Sequence, residues 1–142
     1  MKILAIKSSG DQTSISVMLN EEINTYSMSH ERKERPDWNL FLSNIGYKKI
    51  FDLKEIDLFA FANSQHSYTA SRIVATYMKG LAVGLNKPLI VIHDKDNIAF
   101  DADEVAKEAK EKFLASGSDY KKFDPHLANP TYKETNFKKL DE

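Results

Sequence analysis

The sequence of 142 residues contains no cysteine, which excludes disulfides, thiolate metal ligands and a cysteine nucleophile, and fits a reducing compartment. Glycine is scarce, with five in the whole chain. No G-x-x-x-x-G-K-[ST] phosphate loop occurs. An excess of charge is also missing: 20 Lys plus Arg face 21 Asp plus Glu, a formal net charge of -1. Without a global basic field, any RNA is expected to be reached only indirectly, through another chain. Long apolar runs are absent as well. Lys2 is followed by only four apolar residues, too few for a signal segment, and no window reaches membrane-spanning length, so a cytoplasmic protein without membrane contact is expected. The four histidines, His30, His66, His93 and His126, form no HExxH or i,i+4 pair. Ser67 and Thr69 beside His66 lack a G-x-S-x-G elbow and read as helix-capping residues. Asp94 and Asp96 read as turn and cap residues. No catalytic residue, metal site or cofactor is therefore expected.

What is present is an ordered series of short elements. KILAIK, ended by Ser8-Ser9-Gly10-Asp11, reads as a strand and tight turn; TSISVML and INTYSM alternate and predict an antiparallel meander. After the charged link HERKER, Pro36 suits a first helical position, and Trp38, Phe41, Leu42 and Ile45 follow at helical spacing up to Gly46. IDLFAFA and PLIVIH are apolar on both faces and flank a helix, the pattern of parallel neighbouring strands. A last helix runs from a cap at Asp101, through Val105, Ala109 and Phe113, to Gly117. The order βββαβαβ plus a C-terminal helix predicts one α/β domain over 1–100, with a helix and tail, 101–142, packing on it. A chain of this length buries roughly two-thirds of its unfolded surface, so a core forms unaided.

The helix YTASRIVATYMKGLAVGL, Tyr68 to Leu85, is apolar over an arc of roughly 200°, about twice what docking on one sheet requires. Val74, Met78, Leu81 and Leu85 suit the sheet, and Arg72, Thr76 and Lys79 mark the wet side. Ile73, Tyr77, Gly80 and Gly84 form a second sub-face. Each interior glycine costs about 1 kcal/mol relative to alanine, which suits a close approach by another backbone. A central helix covered by its own chain is the competing reading. With Trp38, Phe41 and Ile45 on the preceding helix, these residues predict a partner interface, occupied by a second copy when the chain is alone.

MKILAIKSSG with its meander, NSQHSYTASRI, KGLAVGLNKPLIVI, and the closing DADEVAKEAKEKFLASG and ANPTYKETNFKKL together resemble the TsaB (YeaZ) family of tRNA threonylcarbamoyladenosine biosynthesis. Ser67, Thr69, Arg72 and Ile73 keep the family's Ser-x-Thr-x-x-Arg-Ile spacing, and Gly80 to Pro88 keep the end of its helix. Residues 63–66 replace Gly-Pro-Gly, Ala70 replaces a glycine, and Lys7 stands where the family and its ATPase relatives carry aspartate. Only Asp94 to Phe100 occupy the place of a second α/β domain. The resemblance implies a ribonuclease-H-like domain of the actin/Hsp70-type ATPase superfamily, shortened by most of its second domain. It further implies a non-catalytic scaffold that binds and activates a TsaD-like catalytic subunit, with a TsaE-like ATPase as a further partner. The alternatives are a degenerate nucleotide-binding enzyme that rebuilds a two-domain cleft as a homodimer and, weakest, a peptidase.

Overall fold

The computed structural model describes residues 1–31, 35–63, 68–93 and 101–128. The loop Ser64–Ser67, the link Asp94–Phe100, part of HERKER and the tail 129–142 lie outside them, and with them the expectations placed on those segments.

Three strands open the chain: β1 (Lys2–Ser8), β2 (Gln12–Leu19) and β3 (Glu22–Ser29). Gly10, with φ 103, turns β1 into β2, a conformation that suits glycine. β1 and β2 pair antiparallel with Ala5 opposite Ser16, and β2 and β3 pair with Ser16 opposite Thr25. β4 (Leu58–Asn63) and β5 (Leu89–His93) then add parallel to the other side of β1, giving the order β3-β2-β1-β4-β5. The meander and the two parallel additions expected from the sequence are both present.

Strand alternation sends side chains to two different layers. Leu4, Ile6, Ile15, Val17, Phe59 and Phe61 meet the helices α1 (Trp38–Asn44) and α2 (Tyr68–Leu85) on one face. Ile3, Ala5, Met18, Leu58, Ala60, Ile90 and Ile92 meet α3 (Ala102–Ala115) on the other. The result is a three-layer α/β/α sandwich.

Caps differ from the sequence reading in two places. Pro36 lies outside α1, because Asp37 takes the cap and accepts from the Leu40 N–H at 3.3 Å. Asp101 precedes α3 by position, but its side chain makes no capping bond. The Ala102 N–H instead donates to the buried Ser14 Oγ of β2 at 3.1 Å, fastening the helix start to the sheet. Gly46 and Gly117, with φ 103 and 77, follow the ends of α1 and α3 as expected. A Cβ at Gly46 would also collide with Ile50.

Candidate functional site

α2 sits against β4 and β1 with a narrower buried stripe than its composition suggested. Ser71, Val74, Ala75, Met78 and Ala82 are buried, at the i, i+3, i+4 spacing of one helix face. Leu81 and Leu85, expected to point at the sheet, are only partly buried and pack at the rim of that core. The buried stripe includes the small residues Ala75 and Ala82, and the bulkier leucines lie on its flank.

The opposite face carries Arg72, Thr76, Gly80, Val83 and Gly84, all exposed. Apart from the adjoining residues and the helix's own nearby backbone, no described heavy atom lies within 4 Å of where a Cβ would stand on Gly80 or Gly84. The described residues therefore give no packing reason for either glycine. Ile73 and Tyr77, both partly buried, lie beside them, so Ile73, Tyr77, Gly80 and Gly84 form one strip at the 4-3-4 spacing of a helix–helix seam.

α1 borders this strip. The Trp38 indole stacks on the Tyr77 ring, with centroids 4.6 Å apart and planes 9° from parallel. Burial pushes the Tyr77 hydroxyl up to about 12, with the nearby Tyr47 adding to the shift, so it is neutral throughout the physiological range. Sequence spacing contained no signal for this pair, because its members lie on different helices and meet only through the sheet beneath them.

Two residues expected at the interface are placed elsewhere. Phe41 is 1% exposed and Ile45 2% exposed, both in the chain's own core. The Phe41 ring meets Tyr26 of β3 edge-on at 5.2 Å. α1 has only seven residues and one broad apolar face, and the sheet claims it. The exposed strip thus narrows to Trp38, Ile73, Tyr77, Gly80 and Gly84.

The carboxyl ends of the parallel strands, where open α/β sheets commonly bind ligands, hold a different kind of arrangement. Ser8 Oγ lies 2.9 Å from Thr13 Oγ1, which lies 2.7 Å from His30 Nε2; His30 Nδ1 lies 2.8 Å from the Glu31 carbonyl. A carbonyl only accepts, so Nδ1 carries the proton, and Nε2 of the neutral ring accepts from Thr13. Thr13 in turn accepts from Ser8, whose oxygen accepts from the Gly10 N–H at 3.3 Å. These hydroxyls tie the β1–β2 turn to the end of β3. Lys7 is partly buried on β1, opposite Ser14. Among the described residues, no three His, Asp or Glu side chains gather to hold a metal, and no helix is long and apolar enough to cross a membrane.

No protein-family model matches the sequence, and no curated protein matches it significantly. Solved structures do. YeaZ from Pseudomonas aeruginosa superposes with a TM-score of 0.60 at 18% identity, over 82% of this chain and 50% of that one. An uncharacterized protein with similarity to peptidase YeaZ from Pseudomonas aeruginosa gives a TM-score of 0.60 at 19% identity, over 66% of this chain and 43% of that one. The fold is thus YeaZ-like and ribonuclease-H-like, and the chain spans about half the length of the structures it matches.

Proposed function

We propose that this chain is a non-catalytic partner subunit in tRNA threonylcarbamoyladenosine modification, working in the cytoplasm by binding and activating a TsaD-like catalytic subunit. One observation carries the reading: the strip of Ile73, Tyr77, Gly80 and Gly84, backed by Trp38, in which two helical glycines stand in open space among the described residues. A face built for water alone gains nothing from glycine there, since each weakens the helix. A partner helix gains close backbone approach. The YeaZ-like fold supports the choice of partner. tRNA is then reached through that partner, along with a TsaE-like ATPase, and in the partner's absence a second copy covers the strip.

The test is co-elution of the purified chain with a TsaD-like subunit, in wild-type form and as Gly84→Leu. The expected result is a complex that the leucine abolishes while the chain stays folded. Two folded proteins that elute separately would sink the proposal. Heat released on adding ATP and magnesium to the chain alone would favour the nucleotide-binding alternative, and chelator-resistant proteolysis would favour the peptidase.

A further inference from the structure

The stacked rings that border the α2 strip each carry a polar tip. Trp38 and Tyr77 are both half-buried. Neither the Trp38 Nε1–H nor the Tyr77 O–H has a hydrogen-bond partner among the described residues. The Tyr77 hydroxyl keeps its proton throughout the physiological range, so both tips are donors. Water serves them while the strip is open. Once another surface covers the strip, that surface has to bring acceptors, because a buried indole N–H or phenol O–H is costly to leave unmade.

Charge on the same border has one sign. Tyr47 lies close enough to add to the Tyr77 shift, and Lys48 and Lys49 follow it in the chain. The Lys48 Nζ stands 5.5 Å from the centroid of the Tyr47 ring. Both lysines are exposed and have no carboxylate partner among the described residues. α2 adds no acid of its own, since Tyr68–Leu85 contains neither Asp nor Glu. Acids on the adjoining segments are engaged locally. Asp37, next to Trp38, accepts from the Leu40 N–H at 3.3 Å, Asp52 accepts from the Lys54 N–H at 3.5 Å, and Glu55 lies 2.8 Å from the Lys2 Nζ.

We propose that the element seated on this strip is an acidic helix, whose carboxylates accept from Trp38 and Tyr77 and face Lys48 and Lys49. The inference rests on the reading of the strip as a partner surface and adds the partner's chemistry to it. The glycines call for a helix, which can approach closely there. A carboxylate meets the two remaining demands at once, as acceptor and as counter-charge. A second copy brings the same donors and cations and, on α2, no carboxylate, so it fits the strip less well than an acidic partner does.

The test uses the whole chain and three synthetic helical peptides of about 20 residues. They share one Ala/Leu seam and differ only at the positions flanking it, which are all Glu, all Gln or all Lys. Trp38 is the only tryptophan, so its emission reports seating on the strip. The Glu peptide is expected to bind at least about tenfold more tightly than the Lys peptide at low salt, a preference that shrinks as salt screens the charges. Lys48→Gln combined with Lys49→Gln should shrink it as well. Tyr77→Phe keeps the ring and deletes the donor, and should weaken the Glu peptide by about threefold to tenfold. Equal affinity for the Glu and Lys peptides overturns the proposal, as does a Glu peptide that still binds Gly84→Leu, or a set of peptides none of which shifts the Trp38 emission. A dimer of the chain, seen by light scattering, that the Glu peptide does not displace gives the strip to a second copy and overturns it too. No TsaD-like subunit enters these titrations, so the two readings fail separately. Co-elution with that subunit alongside peptides of equal affinity overturns the acidic helix alone, and a Glu preference without co-elution overturns only the choice of partner.

Discussion

The two helical layers of this sandwich solve the same problem in opposite ways. α3 buries Ala102, Val105, Ala106, Ala109 and Phe113 completely against the sheet and turns Glu104, Lys107, Glu111 and Lys112 to water. Its outer face is charged, with Lys107 3.7 Å from Glu104. α2 also buries one stripe, but its outer face has Arg72 together with Thr76, Gly80, Val83 and Gly84, where α3 has a row of acids and lysines. One helix is finished by charged side chains. The other leaves two glycines and a valine exposed, and the partner surface proposed for α2 rests on this contrast more than on hydrophobicity by itself.

The strongest way to probe the contrast is to empty each core in turn. Phe113→Ala removes the largest side chain beneath α3 and should cost about 3–5 kcal/mol, read from urea denaturation. Met78→Ala, fully buried under α2, should cost about 2–5 kcal/mol. Both layers are thereby treated as equally native cores. If Met78→Ala costs under about 1 kcal/mol in the chain alone while Phe113→Ala costs its full amount, α2 is not docked on the sheet without a partner, and the exposed strip argued above disappears with it.

Next in size is an alkaline effect confined to the α2 side. The Tyr77 hydroxyl titrates at about 12 in the fold against an ordinary 10.0, so the unfolded chain ionises first as pH rises. The stability tied to the neutral phenol is fully present below pH 10 and is lost between pH 10 and 12. Because Tyr77 is partly exposed, the loss should be about 1–2 kcal/mol after screening by solvent. Tyr77→Phe lacks this loss, and the rest of the chain is common to both proteins. The stability difference between Tyr77→Phe and the unmodified chain should therefore shift in favour of phenylalanine across that window. A constant difference would mean that Tyr77 is wet, and that the Trp38 stack does not shield it.

Much of this architecture was legible in the sequence because it rests on local signals. Alternation in TSISVML, two-sided apolarity in IDLFAFA and PLIVIH, and helical spacing bounded by glycines placed the strands and α-helices of the described residues in order and type. Direction within a helix was less legible. Period alone places Leu81 on the same side as Val74 and Met78, but the buried stripe runs through Ala75 and Ala82 and leaves Leu81 on the rim. Phe41 and Ile45 failed for a related reason: apolar residues on a short helix look alike whether they face a core or a partner. Contacts between distant segments had no local signature at all, among them Trp38 on Tyr77, Ser14 on the Ala102 amide and Phe123 at the edge of β5. Leu81→Ala measures the rim assignment directly. It should cost about 1–1.5 kcal/mol, the scale of a half-buried leucine, well below the cost at Met78, and a value near 3 kcal/mol would return Leu81 to the sheet.

The smallest expected effect is a gain, and it separates the two meanings of the exposed glycines. Gly80 is in the interior of α2, has ordinary helical backbone and would have no described heavy atom within 4 Å of an added Cβ. Gly80→Ala should therefore raise the stability of the isolated chain by up to about 1 kcal/mol through helix propensity alone. Gly84, next to the end of the helix at Leu85, should give only a few tenths of that. Were these glycines mere surface residues, alanine at both positions would stabilise the chain and leave its binding untouched. If a partner helix approaches at Gly80 and Gly84, the same double variant should melt higher alone and bind its partner more weakly, since each methyl holds the backbones apart. Thermal melts paired with binding titrations on that one protein read both quantities together. A double variant that is more stable and binds undiminished would assign the glycines to the bare helix surface, and α2 would lose its distinction from α3.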